Sequence, residues 1–252
     1  MSRKAREKSS TGIYHIMFRG INGQIIFEDY EDYAKLIETL KEYKKICGYE
    51  IYAYCFMSNH IHLLIEEGKE DLGLVFRRIG AKYVYWYNYK YKRNGHLFQD
   101  RFKSEVVENE AYFLTVLRYI HRNPISAGIE KDIEKYKWSS YNEYLDKSEL
   151  CNTKYVLNIF STDKVVAVKE YKRFNNEINN DRCLEYKKSV RINEDEAKKY
   201  ILEVAKVDNT MQVQSFEKTQ RDTTIKKLKD IGLSIRQIER LTGISFAIIR
   251  KI

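Results

Sequence analysis

The alternation of apolar and polar positions divides the chain before any composition is considered. β-branched and aromatic residues crowd Ile13 to Arg19, which predicts a strand. Asp29 then caps a helix to about Cys47, with Tyr33, Leu36, Ile37, Leu40, Tyr43 and Lys44 at helical spacing and Gly48 past its end. Two strands follow, Glu50 to Met57 and His60 to Glu66, joined by a turn at Ser58-Asn59. A long helix is predicted from about Leu72 to Tyr91, and a strand from Phe102 to Glu108. Asn109 caps a last helix, Glu110 to Arg122, which the single proline, Pro124, should close. The order βαββαβ with an added helix predicts an α+β, ferredoxin-like sandwich. Its helices would cover one face of an antiparallel sheet and leave the other free for substrate.

Residues 146 to about 194 are polar and weakly periodic and predict a connector with a few short helices. Beyond Glu194 helical spacing returns. Arg221 to Asp230 forms one helix ended by Gly232, Ser234 to Gln237 is a capping box opening the next, and Gly243 breaks it before Ser245 to Ile252. Helix, glycine turn and basic helix predict a small all-α helix-turn-helix domain. The expected organisation is a basic tail at 1–11, a catalytic α+β domain at 12–145, the connector at 146–194 and the helical domain at 195–252. There are no internal repeats.

Charge changes this picture by adding a partner. The 252 residues carry +9, divided as +3 over residues 1–145 and +6 over 146–252. Within the first part Arg77 to Lys103 holds eight basic residues against Asp100 alone, and Lys218 to Ile252 carries +6. A polyanion is the natural partner for both. Cys47, Cys55, Cys151 and Cys183 are far apart and form no CxxC pair, so neither a zinc knuckle nor a disulfide framework is suggested. No apolar run approaches a bilayer span and no hydrophobic segment follows the basic start Ser2 to Lys8, so a soluble, cytoplasmic protein is expected.

The candidate chemistry centres on His60-Ile61-His62-Leu63-Leu64-Ile65. Along a strand, His60, His62 and Leu64 share one face while Ile61, Leu63 and Ile65 take the other. Two imidazoles two residues apart can reach one cation, although the residues alone leave open a hydrogen-bonded surface pair. Tyr119 and Asn123, four apart on a helix, could bring a phenol and an amide oxygen to the same place. Two imidazoles and an amide oxygen would suit Mg²⁺ or Mn²⁺ better than a closed zinc site. Among 21 tyrosines, spacing alone does not select Tyr119.

Five ordered segments do. They are Tyr14-His15 with Arg19-Gly20, Ala53 to Leu64, Asn94 to Ser104, Arg118 to Gly128 and Trp138 to Tyr141. Together they closely resemble the REP-associated tyrosine transposases, relatives of the single-tyrosine HUH transposases of small bacterial insertion sequences. The resemblance covers roughly residues 12–145 and implies an HUH-type fold. It implies that His60 and His62 hold a divalent metal with Asn123 as third ligand, and that Tyr119 is the nucleophile. The implied reaction is single-strand cleavage and joining of hairpin-associated DNA through a 5′-phosphotyrosine. Ile125-Ser126-Ala127 departs from the family's usual Val-Arg-Ala and removes one positive charge, which should alter DNA grip rather than chemistry.

The residues expected to hold DNA are Arg77, Arg78, Lys82, Lys90, Lys92, Arg93, His96, Arg101, Lys103 and Arg122, with Arg236, Arg240, Arg250 and Lys251 in the C-terminal domain. Between them Tyr83, Tyr85, Trp86, Tyr87, Tyr89 and Tyr91 place rings of which about half should be core, the others free to stack on bases. His121 could face DNA or solvent, and His15 could lie near the metal pair or simply bond a neighbour. The competing readings are a DNA-binding regulator without catalysis and a metal-dependent hydrolase that uses water. Monomer and homodimer are both compatible with the sequence.

Overall fold

Four strands, β1 (Ile13–Arg19), β2 (Glu50–Met57), β3 (His60–Glu66) and β4 (Lys103–Val106), pair antiparallel in the order β2-β3-β1-β4. In this computed structural model residues 6–185 and 192–252 are described; the basic start at 1–5 and the end of the expected connector at 186–191 lie outside them. The helices that interleave the strands are α1 (Tyr30–Cys47) and α2 (Leu72–Lys90), so the βαββαβ order is that of the ferredoxin-like sandwich. Local chemistry sets their ends. Asp29 and Asp32 form a reciprocal capping box at the start of α1, and Gly48, at φ 71°, closes it in the left-handed region.

Strand alternation separates two cores. Tyr14, Ile16 and Phe18 of β1 and Ile61, Leu63 and Ile65 of β3 pack beneath α1 and α2. On the opposite face Ala53, Cys55, Met57 and Leu64 pack against Phe113, Val116, Leu117 and Ile120 of α3 (Glu110–Ser126). This corrects the expectation of a free face. The side chains β2 presents there are apolar, and a register shift between Ile51 and Ala53 sends Tyr52 and Ala53 to the same side. That surface must be covered, and α3 covers it.

Pro124 does not close α3, as the sequence suggests, but lies within it. It lacks one N–H, yet the turn around it is completed by Ala127 N–H to Asn123 O, Gly128 N–H to Ile125 O and Ile129 N–H to Pro124 O. Asn123 is thereby kept inside a helical turn. The segment expected to be a polar connector contains α4 (Thr153–Phe160) and α5 (Lys164–Asn176). Val156, Leu157, Ala167 and Tyr171 of these helices join the second core with Tyr141 and Tyr144. The first unit of the chain therefore runs through Glu185. All four cysteines are unbonded.

The second unit begins at Tyr186. Its described part contains α6 (Glu194–Ala205), α7 (Lys218–Ile231), α8 (Ile235–Thr242) and α9 (Phe246–Lys251) around Ile201, Val213, Ile225, Leu228, Ile238 and Ile249. Ser234 and Gln237 form the capping box of α8, and Gly243, at φ 70°, turns the chain into the short α9. Among the described residues no helix is long and apolar enough to cross a membrane.

Candidate active site

The covered face of the sheet is where the polar residues of β1 and β3 meet α3. His60 and His62 stand with ring centroids 5.1 Å apart. The Asn123 Oδ1 lies 3.3 Å from His60 Nε2, and its Nδ2 lies 3.5 Å from His62 Nε2. Asn59 sets the proton on His60: its amide nitrogen donates to Gly23 O at 3.1 Å, which leaves Oδ1 to accept from His60 Nδ1–H at 2.7 Å. His60 Nε2 is then a bare lone pair facing the amide oxygen of Asn123, two acceptors 3.3 Å apart. A cation between them satisfies both. Among the described residues no three His, Cys, Asp or Glu side chains form a metal-ligating group; beside the two imidazoles, the amide oxygen of Asn123 is a further neutral donor. Two neutral nitrogens and an amide oxygen fit a divalent ion that keeps open positions.

Burial keeps the imidazoles in the ligating form. It lowers the pKa of His60, and lowers that of His62 well below the ordinary value, where neighbouring His15 and His60 add to the effect. His62 is 1% exposed and His15 not at all. His15 lies 3.0 Å from His62, Nε2 to Nδ1, so of the two readings of this residue the structure gives the one beside the histidine pair.

Tyr119, one helical turn before Asn123, sets its ring edge-on to both His62 and His15, at 5.7 and 5.8 Å. Its hydroxyl donates to Glu185 Oε1 at 2.7 Å. Burial, then the Glu185 carboxylate, push the phenol above its ordinary pKa. Glu185 escapes a sequence reading because it is 66 positions away in a polar stretch with no motif. Neighbouring contacts hold that stretch against the site: Asp181 pairs with Arg118 at 2.7 Å, and Leu184 N–H donates to Glu105 Oε2 at 3.1 Å. Glu105 was equally hidden. His15 foremost holds its carboxyl below the usual range.

His121 faces neither solvent nor a surface that DNA could reach. It is fully buried on the far side of α3, between Ser140 Oγ at 2.9 Å and Tyr171 Oη at 3.1 Å.

The expected DNA-binding residues differ in exposure. Arg77, His96 and Arg101 line a groove of about 770 Å³ between α2 and residues 96–102, together with Arg6. Lys92 and Lys103 are exposed. Lys90 is instead 19% exposed and held by Asp29, Glu31 and Asp32, so its charge serves the α1–α2 packing. Arg78 pairs with Glu70, Lys82 with Glu42, Arg93 donates to His96 O, and Arg122 donates to Asn175 O. In the second unit Arg236, Arg250 and Lys251 are exposed, while Arg240 pairs with Glu194 at 2.6 Å. On α2, Tyr83 and Tyr87 are core, whereas Tyr85 and Tyr89 are 78% and 80% exposed.

Residues 8–123 match the family model described as IS200-like transposase. The matched segment contains β1 to β4 with His60, His62, Tyr119 and Asn123, and the resemblance drawn from the five motifs is borne out by it. Among solved structures the chain is similar to one described as a REP-associated tyrosine transposase bound to a REP hairpin. That likeness covers 58% of this chain and 87% of the other at 20% identity and a TM-score of 0.50, and it bears on the fold alone. A search of curated proteins gave no match. Residues 8–123 are thus similar to the IS200-like transposases, over a little under half of the chain.

Proposed function

We propose that this chain, similar over residues 8–123 to the IS200-like transposases, cuts and rejoins single-stranded or hairpin-tipped DNA through Tyr119. One observation carries the reading: a single helix brings the Tyr119 phenol against His62 and, one turn on, the Asn123 amide oxygen against the bare nitrogen of His60. Bound by His60, His62 and Asn123, Mg²⁺ or Mn²⁺ would neutralise and orient the scissile phosphate. Tyr119 Oη attacks phosphorus in line. The new P–O bond forms as the bond to the 3′-oxygen breaks with its electron pair, giving a 5′-phosphotyrosine. Glu185 takes the phenolic proton through the hydrogen bond it already accepts, and the departing 3′-oxygen gains a proton from solvent. Attack by another 3′-hydroxyl reverses the step and joins a new strand.

The exposed Arg77, Arg101 and Lys92, with the side chain of His96, serve the phosphate backbone, and Tyr85 and Tyr89 offer rings for unpaired bases. The second unit, with α8, the Gly243 turn and the basic α9, acts as a duplex-binding helix-turn-helix through Arg236, Arg250 and Lys251. Such a protein works in the cytoplasm, where the DNA is. The test is incubation with a labelled hairpin oligonucleotide and Mn²⁺. A covalent adduct absent from Tyr119→Phe is expected. Binding without cleavage would favour a regulator, and cleavage surviving Tyr119→Phe would favour a water-using hydrolase.

A further inference from the structure

We infer that Glu105 and His15 form a positioning relay that fixes the proton and ring plane of His62, aiming its Nε2 lone pair at the cation site. The inference rests on reading His60, His62 and Asn123 as that site. Strand pairing builds the relay: β1 sets His15 directly opposite Glu105 on β4, while Met17, two residues on, is opposite His62 on β3. His15 therefore lies diagonal to His62 on one face, fully buried, so both its ring nitrogens must be accounted for. Nε2 is 3.0 Å from His62 Nδ1. Nδ1 has no hydrogen-bond partner among the described residues, and the Glu105 Oε2 stands 3.9 Å from it.

Direction follows from what each group can do. An ionised carboxylate only accepts, so the His15 proton belongs on Nδ1, facing Glu105. Nε2 of His15 is then an acceptor and His62 Nδ1 must donate to it. That leaves His62 Nε2 bare, as Asn59 leaves His60 Nε2 bare on the other side of the pair. His15 is not itself a third imidazole ligand, because it meets His62 from behind, at Nδ1 rather than Nε2. Glu105 is anchored independently: its Oε2 accepts from Tyr112 Oη at 2.6 Å and from Leu184 N–H at 3.1 Å. An apolar side chain at position 15 would fill the same space and leave His62 without its acceptor. Partners of this kind, behind a ligating imidazole, typically change metal affinity by about 10- to 100-fold.

The full-length protein supplies the test, in two readouts that need no turnover. Nitrogen-15 NMR of the metal-free protein should show His62 with its proton on Nδ1. Mn²⁺ titration followed by electron paramagnetic resonance should show His15→Phe binding about 10- to 100-fold more weakly, with His15→Gln, whose amide oxygen can accept, recovering most of the loss. Glu105→Gln, which no longer enforces direction, should weaken binding and populate the other His62 tautomer. Wild-type Mn²⁺ affinity in His15→Phe, or no recovery in His15→Gln, would overturn the relay. If His15→Phe does not fold, the wild-type tautomer and Glu105→Gln decide, and a proton on His62 Nε2 in the wild type overturns it. His62→Ala separates the two levels: unchanged Mn²⁺ binding in that variant removes the metal site itself. Lost binding there with none in His15→Phe removes the relay alone.

Discussion

The two faces of the same four-stranded sheet bury side chains to opposite ends. Beneath α1 and α2 the residues of β1 and β3 are Tyr14, Ile16, Phe18, Ile61, Leu63 and Ile65, a packed apolar layer. Beneath α3 the same two strands present His15, Met17, His60 and His62, and the helix answers with Tyr119 and Asn123. Burial on the first face stabilises the fold. On the second it removes water from imidazoles and a phenol, which favours their neutral forms, at a cost in stability.

Four changes would sharpen or break that contrast. The largest effect is expected from His60→Ala or His62→Ala, which should abolish DNA cleavage while leaving hairpin binding nearly intact, since the basic surface supplies most of the affinity. Gel-shift and cleavage assays on one preparation measure both, and a parallel loss of binding would contradict the division. On the other face Leu63→Ala should cost about 2–5 kcal/mol in urea unfolding, with cleavage per folded molecule unchanged.

Acid should then act through the α3 side. Burial lowers the pKa of His121 to about 3, against about 6.5 unfolded. Above pH 6.5 both states are neutral and pH has no effect. Below it the unfolded chain takes up a proton that the folded chain refuses, so stability falls by about 1.4 kcal/mol per pH unit for each such histidine. His15 and His62, buried and shifted the same way, act in the same direction. Urea unfolding at pH 7 and 5 should show this, with the slope flattened in His121→Gln. The smallest effect is expected at Tyr85→Ala and Tyr89→Ala, each weakening single-stranded oligonucleotide binding by about 1–3 kcal/mol per stacked base, without change in thermal stability.

The contrast between the faces was partly legible in the sequence. His60-Ile61-His62-Leu63 alternates within one strand, and caps such as Asp29, Asn109 and Ser234 act within a turn, so strands and helix starts follow from neighbours. What covers the second face did not follow. Tyr144 and Tyr171 reach it from beyond the motifs, and the polar character of residues 146–185 conceals the stripes of α4 and α5 that pack there. Lys90 looked like one more cation in a basic run until α1 brought three acidic residues to it. Asn123, at a fixed step from Tyr119, was readable. Glu105, Glu185 and the place of His15 depend on strand pairing and on chain returning from 47 to 79 positions away, which no local pattern encodes.

The central claim is that Tyr119, held between the buried imidazoles and Glu185, becomes covalently bonded to DNA. Mass spectrometry of the proteolysed adduct, formed with a hairpin oligonucleotide and Mn²⁺, tests it most directly. The account predicts a nucleotide 5′-phosphate on the peptide carrying Tyr119, and none in Tyr119→Phe. A nucleotide found on another tyrosine, or cleavage that proceeds with every tyrosine unmodified, would contradict it.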